Sequence, residues 1–124
     1  MKKRVLVVDD DRLVADTLKL VFQANGYETE ARYSAAEGLE RARTFDPGLV
    51  LCDVTMPHES GLQLAEKMQE EMPKCKVLLL TAYSSNAVKV EMQARKMQRT
   101  LRLLNKPCRP EDLLREAGEM LMSA

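Results

Sequence analysis

The chain has 124 residues, the length of one ordinary domain built on a single core. Hydrophobic residues make up 45% and charged residues 31%, and the formal net charge is zero, so no global field draws the molecule to nucleic acid or to a membrane. No apolar stretch approaches the roughly 18 residues that span a bilayer, and the Met-Lys-Lys-Arg start leads into a short apolar run that ends in Asp9-Asp10-Asp11, which argues against an export signal.

Residues 4–9 read as a continuous apolar strand, with Asp10 or Asp11 standing where a helix N-cap belongs. Leu13, Val14, Thr17, Leu18, Val21 and Phe22 then recur at helical spacing until Asn25-Gly26 stops the helix. From Tyr27 to Tyr33 the period changes to alternation: Tyr27, Thr29, Ala31 and Tyr33 share one face, and Glu28, Glu30 and Arg32 the other. Such a strand has one wet side and belongs at a sheet edge. Ser34-Ala-Ala-Glu37 is a capping-box sequence opening a helix to about Phe45, and Asp46-Pro47-Gly48 turns into a second apolar strand over 49–53. A loop from Val54 to Glu59 leads to a second capping-box pattern, Ser60-Gly-Leu-Gln63, whose helix runs to Glu71-Met72-Pro73. A third apolar strand covers 76–81, a helix follows from about Ser84 to Gln98, and the last strand covers 101–105. The final helix begins with Pro110 at its first position and carries Glu111 and Asp112 in its first turn.

This is a strand–helix unit repeated along the whole of residues 1–124, read as one domain without linker or low-complexity segment. Strands separated by helices imply a parallel sheet with right-handed crossovers, and runs apolar on both faces imply helices on both sides. The expected fold is therefore α/β, a doubly wound (βα)5 flavodoxin-like sandwich with a five-stranded parallel sheet in order 2-1-3-4-5. That order puts the half-polar 27–33 strand at an edge. It also makes strands 1 and 3 neighbours at the point where the strand order reverses, which is where open α/β sheets bind ligands.

Each apolar run ends in a residue able to do phosphate chemistry: Asp9-Asp10, Asp53, Thr81, and Asn105-Lys106-Pro107. Taken singly, each has a bland reading as a helix cap, a loop opener, a strand terminator or a solvated turn. Together they place three carboxylates, a hydroxyl and an ammonium at one sheet edge. Clustered carboxylates repel one another unless a cation offsets them, and oxygen ligands of this kind suit Mg2+ with a phosphate oxygen.

At these residues the chain resembles the receiver domains of two-component response regulators, over essentially its whole length. The motifs that carry the resemblance are Val7-Val8-Asp9-Asp10, Leu51-Cys52-Asp53-Val54-Thr55-Met56-Pro57, Gly61-Leu62, Leu80-Thr81-Ala82 and Asn105-Lys106-Pro107. The resemblance implies that Asp53 accepts a phosphoryl group as an acyl phosphate. It implies Mg2+ held by Asp10, Asp53 and the backbone carbonyl of Thr55, with Asp9 acting through water. Lys106 contacts the phosphoryl oxygens, and Thr81 donates its hydroxyl to them. The implied partners are a sensor histidine kinase or phosphotransfer protein as donor and a downstream target protein not identifiable from sequence. Enzymatic activity beyond phosphotransfer and autodephosphorylation is not expected.

Several positions depart from the family pattern. Leu103 stands where an aromatic switch residue is usual, and Met97-Gln98-Arg99-Thr100 lacks the Gly that usually closes the fourth helix. Ser60 and Gly48 stand where acidic residues are common. Thr55 and Tyr83 flank the expected phosphoryl position and are expected to tune acyl-phosphate lifetime. The first two departures concern readout, not phosphorylation chemistry.

The remaining chemistry-bearing residues have structural readings. His58, the one histidine, reads as a solvated loop residue, and Met68, Met72, Met92, Met97, Met120 and Met122 as core filling. Cys52, Cys75 and Cys108 show no metal or redox spacing and read as small buried hydrophobes in a reducing, cytoplasmic setting. Lys89, Arg95, Lys96, Arg99 and Arg102 make the 89–102 stretch basic, while Glu111, Asp112, Glu116 and Glu119 make the final helix acidic. These are either two solvated faces or the halves of a homodimer interface built on the 84–98 helix, the last strand and the final helix. Two other functions compete: a pseudo-receiver that binds partners without phosphorylation, and a haloacid-dehalogenase-like phosphatase suggested by Asp9-x-Asp11. The presence of all five site residues argues against the first, and Arg12-Leu13 in place of the expected Gly and Thr against the second. No room for an output module remains after the final helix, which leaves open a whole single-domain regulator or a fragment of a longer one.

Overall fold

The computed structural model describes residues 3–54, 56, 60–81, 101–105 and 108–122. The elements are β1 (Arg4–Val8), α1 (Arg12–Ala24), β2 (Glu28–Arg32), α2 (Ala35–Phe45), β3 (Leu49–Asp53), α3 (Gly61–Glu71), β4 (Lys76–Thr81), β5 (Leu101–Asn105) and a final helix (Pro110–Met122). The helix expected over 84–98 lies outside the described residues. The strands form one parallel sheet in the order β2-β1-β3-β4-β5. This is the doubly wound arrangement expected from the alternation of strand and helix patterns, with the half-polar strand at the edge.

Strand runs of Val and Leu with no polar alternation require cover on both faces, and they have it. Leu6, Val8, Val50, Cys52, Val77 and Leu79 pack with α2 and α3 residues such as Leu39, Leu64 and Met68. Val5, Val7, Leu49, Leu51, Leu78 and Leu80 pack on the opposite face with Leu18 and Phe22 of α1 and Leu113 and Met120 of the final helix. Leu6, Leu51, Leu64 and Leu78 are essentially fully buried, and each such side chain contributes roughly 1.5–3 kcal/mol relative to exposure. β2 is the exception. Only Thr29 and Ala31 face the interior, and Glu28, Glu30 and Arg32 alternate with them on the wetter side.

The helix ends follow local chemistry. Asp11, not Asp10, caps α1, its carboxylate accepting from the amides of Leu13 and Val14. The α1 chain then leaves through Asn25 and a left-handed Gly26 at φ 90°. At α3 the capping box is complete: Ser60 accepts from the Gln63 amide at 3.2 Å, and Gln63 Oε1 accepts from the Ser60 amide at 2.9 Å. At α2 the Ser34 hydroxyl accepts the Glu37 amide but donates to the Glu37 carboxylate, so α2 carries the serine half of the motif.

Candidate functional site

β1 and β3 lie side by side, Val8 opposite Cys52, so the residues that follow both strands emerge at the same edge. Asp9 is buried, 3% exposed. Its amide donates to the Arg32 carbonyl at 3.1 Å, and its Oδ1 accepts from the Asp11 amide at 3.0 Å. With Asp11 turned to cap α1, Asp10 is left exposed at the turn and Asp53 half-buried at the end of β3. Carboxylate oxygens of Asp9, Asp10 and Asp53 lie within 4.8 Å of one another. Their field is felt by the neighbouring Cys52 thiol. Burial chiefly, then the Asp53 and Asp9 charges, push its pKa well above the ordinary thiol range. Cys52 is thus a thiol held neutral, its Sγ donating to the Asp53 carbonyl at 3.3 Å.

The N-terminus of α3 supports Asp53 from behind. The Val54 amide donates to the Leu80 carbonyl at 2.9 Å, and the Gly61 amide donates to the Val54 carbonyl at 2.9 Å. A Cβ on Gly61 would collide with the Asp53 carbonyl oxygen. Close approach of two backbones, not a left-handed φ, is what requires glycine here. Sequence reading placed Gly61 in a motif but gave it no role; the signal available was a glycine directly after an N-cap serine.

Thr81 ends β4, 1% exposed, with Leu80 opposite Asp53 and Thr81 opposite Asn105. The structure thus gathers Asp9, Asp10 and Asp53 into one cluster and sets Thr81 one residue beyond the Asp53 register. Thr55 and Lys106 lie outside the described residues, as do His58, Tyr83 and the 89–100 part of the basic stretch. Leu103 is half-buried against the α2–α3 side of the sheet, and Leu104 packs on the opposite side.

The profile of the response regulator receiver domain matches residues 5–117. The chain belongs to this family. It is 34% identical over 90 residues to the response regulator MprA of Mycobacterium ulcerans, an alignment covering 73% of this chain and 39% of that protein. The chain therefore spans about two fifths of that relative's length. Among solved structures, a CheY-like receiver domain from Methanospirillum hungatei superimposes with a TM-score of 0.88 at 31% identity, over 98% of this chain and 94% of the other. The response regulator TrrA of Thermotoga maritima, solved in complex with Mg2+ and BeF, superimposes with a TM-score of 0.82 at 28% identity, over 95% and 98% of the two chains.

Membership makes this a receiver domain of two-component signalling, a family whose members interact with histidine kinases or phosphotransfer proteins. The dehalogenase-like reading loses its second aspartate, because Asp11 is taken up in capping α1 and the acidic cluster is Asp9, Asp10 and Asp53. Among the described residues no helix is long and apolar enough to cross a membrane. On the final helix, Glu116 and Glu119 pair with Arg102 at 2.7 and 3.1 Å, and Asp112 pairs with Arg109 and Arg115 at 3.4 and 3.0 Å.

Proposed function

We propose that this receiver domain is a phosphoacceptor switch in which Asp53 is the acceptor. The observation that carries the proposal is the convergence of Asp9, Asp10 and Asp53 at the strand-order reversal. Asp53 Oδ attacks the donor phosphorus in line; an O–P bond forms and the bond from phosphorus to the donor breaks, leaving an aspartyl phosphate. Asp10, Asp53 and the Thr55 carbonyl hold Mg2+, with Asp9 in support, and the hard oxygen donors of the cluster fit that ion. Bound there, Mg2+ supplies charge neutralisation for the transferring phosphoryl group. The Lys106 ammonium neutralises phosphoryl oxygens, and the Thr81 hydroxyl donates to them. The TrrA structure, which holds Mg2+ and BeF, supports a Mg2+ site in this fold.

The added charge, about −1.5 to −2 at neutral pH, is the signal. It is read through Thr81 toward β5 and the final helix, where Leu103 replaces the usual aromatic and a downstream protein or a second copy of the chain docks. A homodimer pairing the basic 89–102 stretch with the partner's final helix exchanges the internal Arg102 pairs for intermolecular ones, so its affinity falls with salt. The donor is a sensor histidine kinase or phosphotransfer protein.

Incubation with acetyl phosphate, with and without Mg2+, followed by intact mass measurement, tests the proposal. A Mg2+-dependent addition of one phosphoryl group, lost in Asp53→Asn and reduced in Asp10→Ala, is expected. Equal labelling of wild type and Asp53→Asn refutes it and leaves the pseudo-receiver.

A further inference from the structure

The end of β2 closes over the first turn of α1. Tyr33, the residue after β2, donates its phenolic hydroxyl to Asp16 Oδ1 at 2.6 Å. The Arg12 guanidinium lies over the same ring, its carbon 4.1 Å from the centroid. Arg12 and Asp16 are one helical turn apart, so the single side chain that follows β2 grips both ends of the turn in which α1 begins. The hydroxyl bond is charge-assisted and the ring–guanidinium contact is a cation–π pair, two interactions of different character on the same residue.

One residue earlier, the Arg32 carbonyl accepts the Asp9 amide at 3.1 Å. The last residue of β2 and the one after it therefore hold the β1–α1 turn from both sides: Arg32 fixes Asp9, and Tyr33 fixes the turn that follows Asp11. Asp10 sits between these two anchors. Its carboxylate belongs to the acidic cluster, yet the residue itself is exposed. No hydrogen bond to the Asp10 side chain is found among the described residues. Its position is set by the backbone on either side of it.

We infer that Tyr33 is a positioning residue for the acidic cluster: by pinning the first turn of α1 to the end of β2 it keeps Asp10 within reach of Asp9 and Asp53. The inference rests on reading that cluster as a divalent-cation site. Tyr27 supplies the internal control. It precedes the same strand, where its ring meets Phe22 edge-on at 5.4 Å, and it serves the core rather than the turn.

The test is a Mg2+ titration of the full chain followed by amide chemical shifts, with urea unfolding of every variant. Tyr33→Phe, which keeps the ring and loses the hydroxyl, weakens Mg2+ about fivefold. Tyr33→Leu, which loses both contacts, weakens it about tenfold, the lower range for groups that orient metal ligands. Arg12→Lys keeps the charge and loses the planar stack, so weakening there reports the contact and not a change of field. Tyr27→Leu lowers stability and leaves Mg2+ affinity unchanged. If wild type binds Mg2+ and the Tyr33 variants bind it equally well, or if Tyr27→Leu weakens it as much as Tyr33→Leu, the positioning role is overturned. If wild type itself does not bind, or Asp10→Asn binds as wild type does, the cation-site reading fails and the inference with it.

Discussion

The two ends of the sheet use charge in different ways. At the amino end, Arg4 donates to the carbonyls of Phe45 and Asp46 at 3.3 and 3.4 Å, and Lys76 Nζ donates to the Met120 carbonyl at 2.6 Å. Both cations sit at the first residue of a strand and both cap the C-terminus of a helix, where the macrodipole favours positive charge. Their charge is satisfied inside the fold. At the carboxyl end three carboxylates are brought within 4.8 Å of one another, and like charges at that range repel unless a cation offsets them. At one end charge serves the helix termini; at the other it is concentrated in a single cluster of carboxylates.

The comparison is sharpened by substitutions at each end, taken from the largest expected effect downward. Gly61→Ala forces a Cβ into the Asp53 carbonyl, a backbone atom that cannot swing away. A loss of about 1–3 kcal/mol in urea unfolding is expected, the usual range for overpacking, together with slower phosphorylation because Asp53 shifts. At the amino end, Lys76→Met removes the cap of the final helix and is expected to cost about 1 kcal/mol while leaving phosphorylation by acetyl phosphate unchanged. If Lys76→Met impaired phosphorylation as strongly as Gly61→Ala, the division between the two ends would not hold.

At the carboxyl end the sign reverses. Asp10→Asn relieves repulsion in the cluster, so the Mg2+-free protein is expected to gain about 0.5 kcal/mol and to lose the Mg2+-dependent rise in melting temperature that linkage gives the wild type. A destabilised Asp10→Asn protein would show that the carboxylate is structural. The smallest effect belongs to Glu30, on the wetter face of β2, whose carboxyl pKa is lowered first by its hydrogen bonds from Arg41 and then by the Arg41 and Arg32 charges. A lowered folded-state value means the contribution is present above the unfolded glutamate pKa, near 4.3, and is lost as pH falls through the folded value. Glu30→Gln is therefore expected to flatten the acid limb of the melting-temperature profile below that pH and to change nothing at pH 7 that depends on phosphorylation.

The sheet was legible in the sequence because periodicity and termination agreed at each element: apolar Val and Leu runs, each stopped by a polar residue, fix strand identity and strand ends together. The edge position of β2 followed from alternation at Glu28, Glu30 and Arg32, which a strand buried on both faces does not tolerate. The acidic cluster followed from strand order, since only neighbouring strands 1 and 3 bring Asp9 and Asp53 to one edge. Which aspartate capped α1 was not legible, because Asp10 and Asp11 are chemically identical and only the path of the turn sets the Asp11 carboxylate against the Leu13 and Val14 amides. The contacts of Tyr33 with Arg12 and Asp16 were not legible either. Alternation put that residue on the inner face of β2, but its grip on Arg12 and Asp16 depends on where α1 lies over that strand. No local pattern encodes that crossing.

Borohydride trapping after acetyl phosphate treatment in Mg2+, followed by peptide mapping, tests the central claim most directly, because reduction of an aspartyl phosphate marks the acceptor residue itself. The mark is expected at position 53 alone and is expected to disappear when Mg2+ is withheld. A mark at Asp9 or Asp10, or none in a protein that binds Mg2+, would contradict the assignment of the strand-end carboxylates.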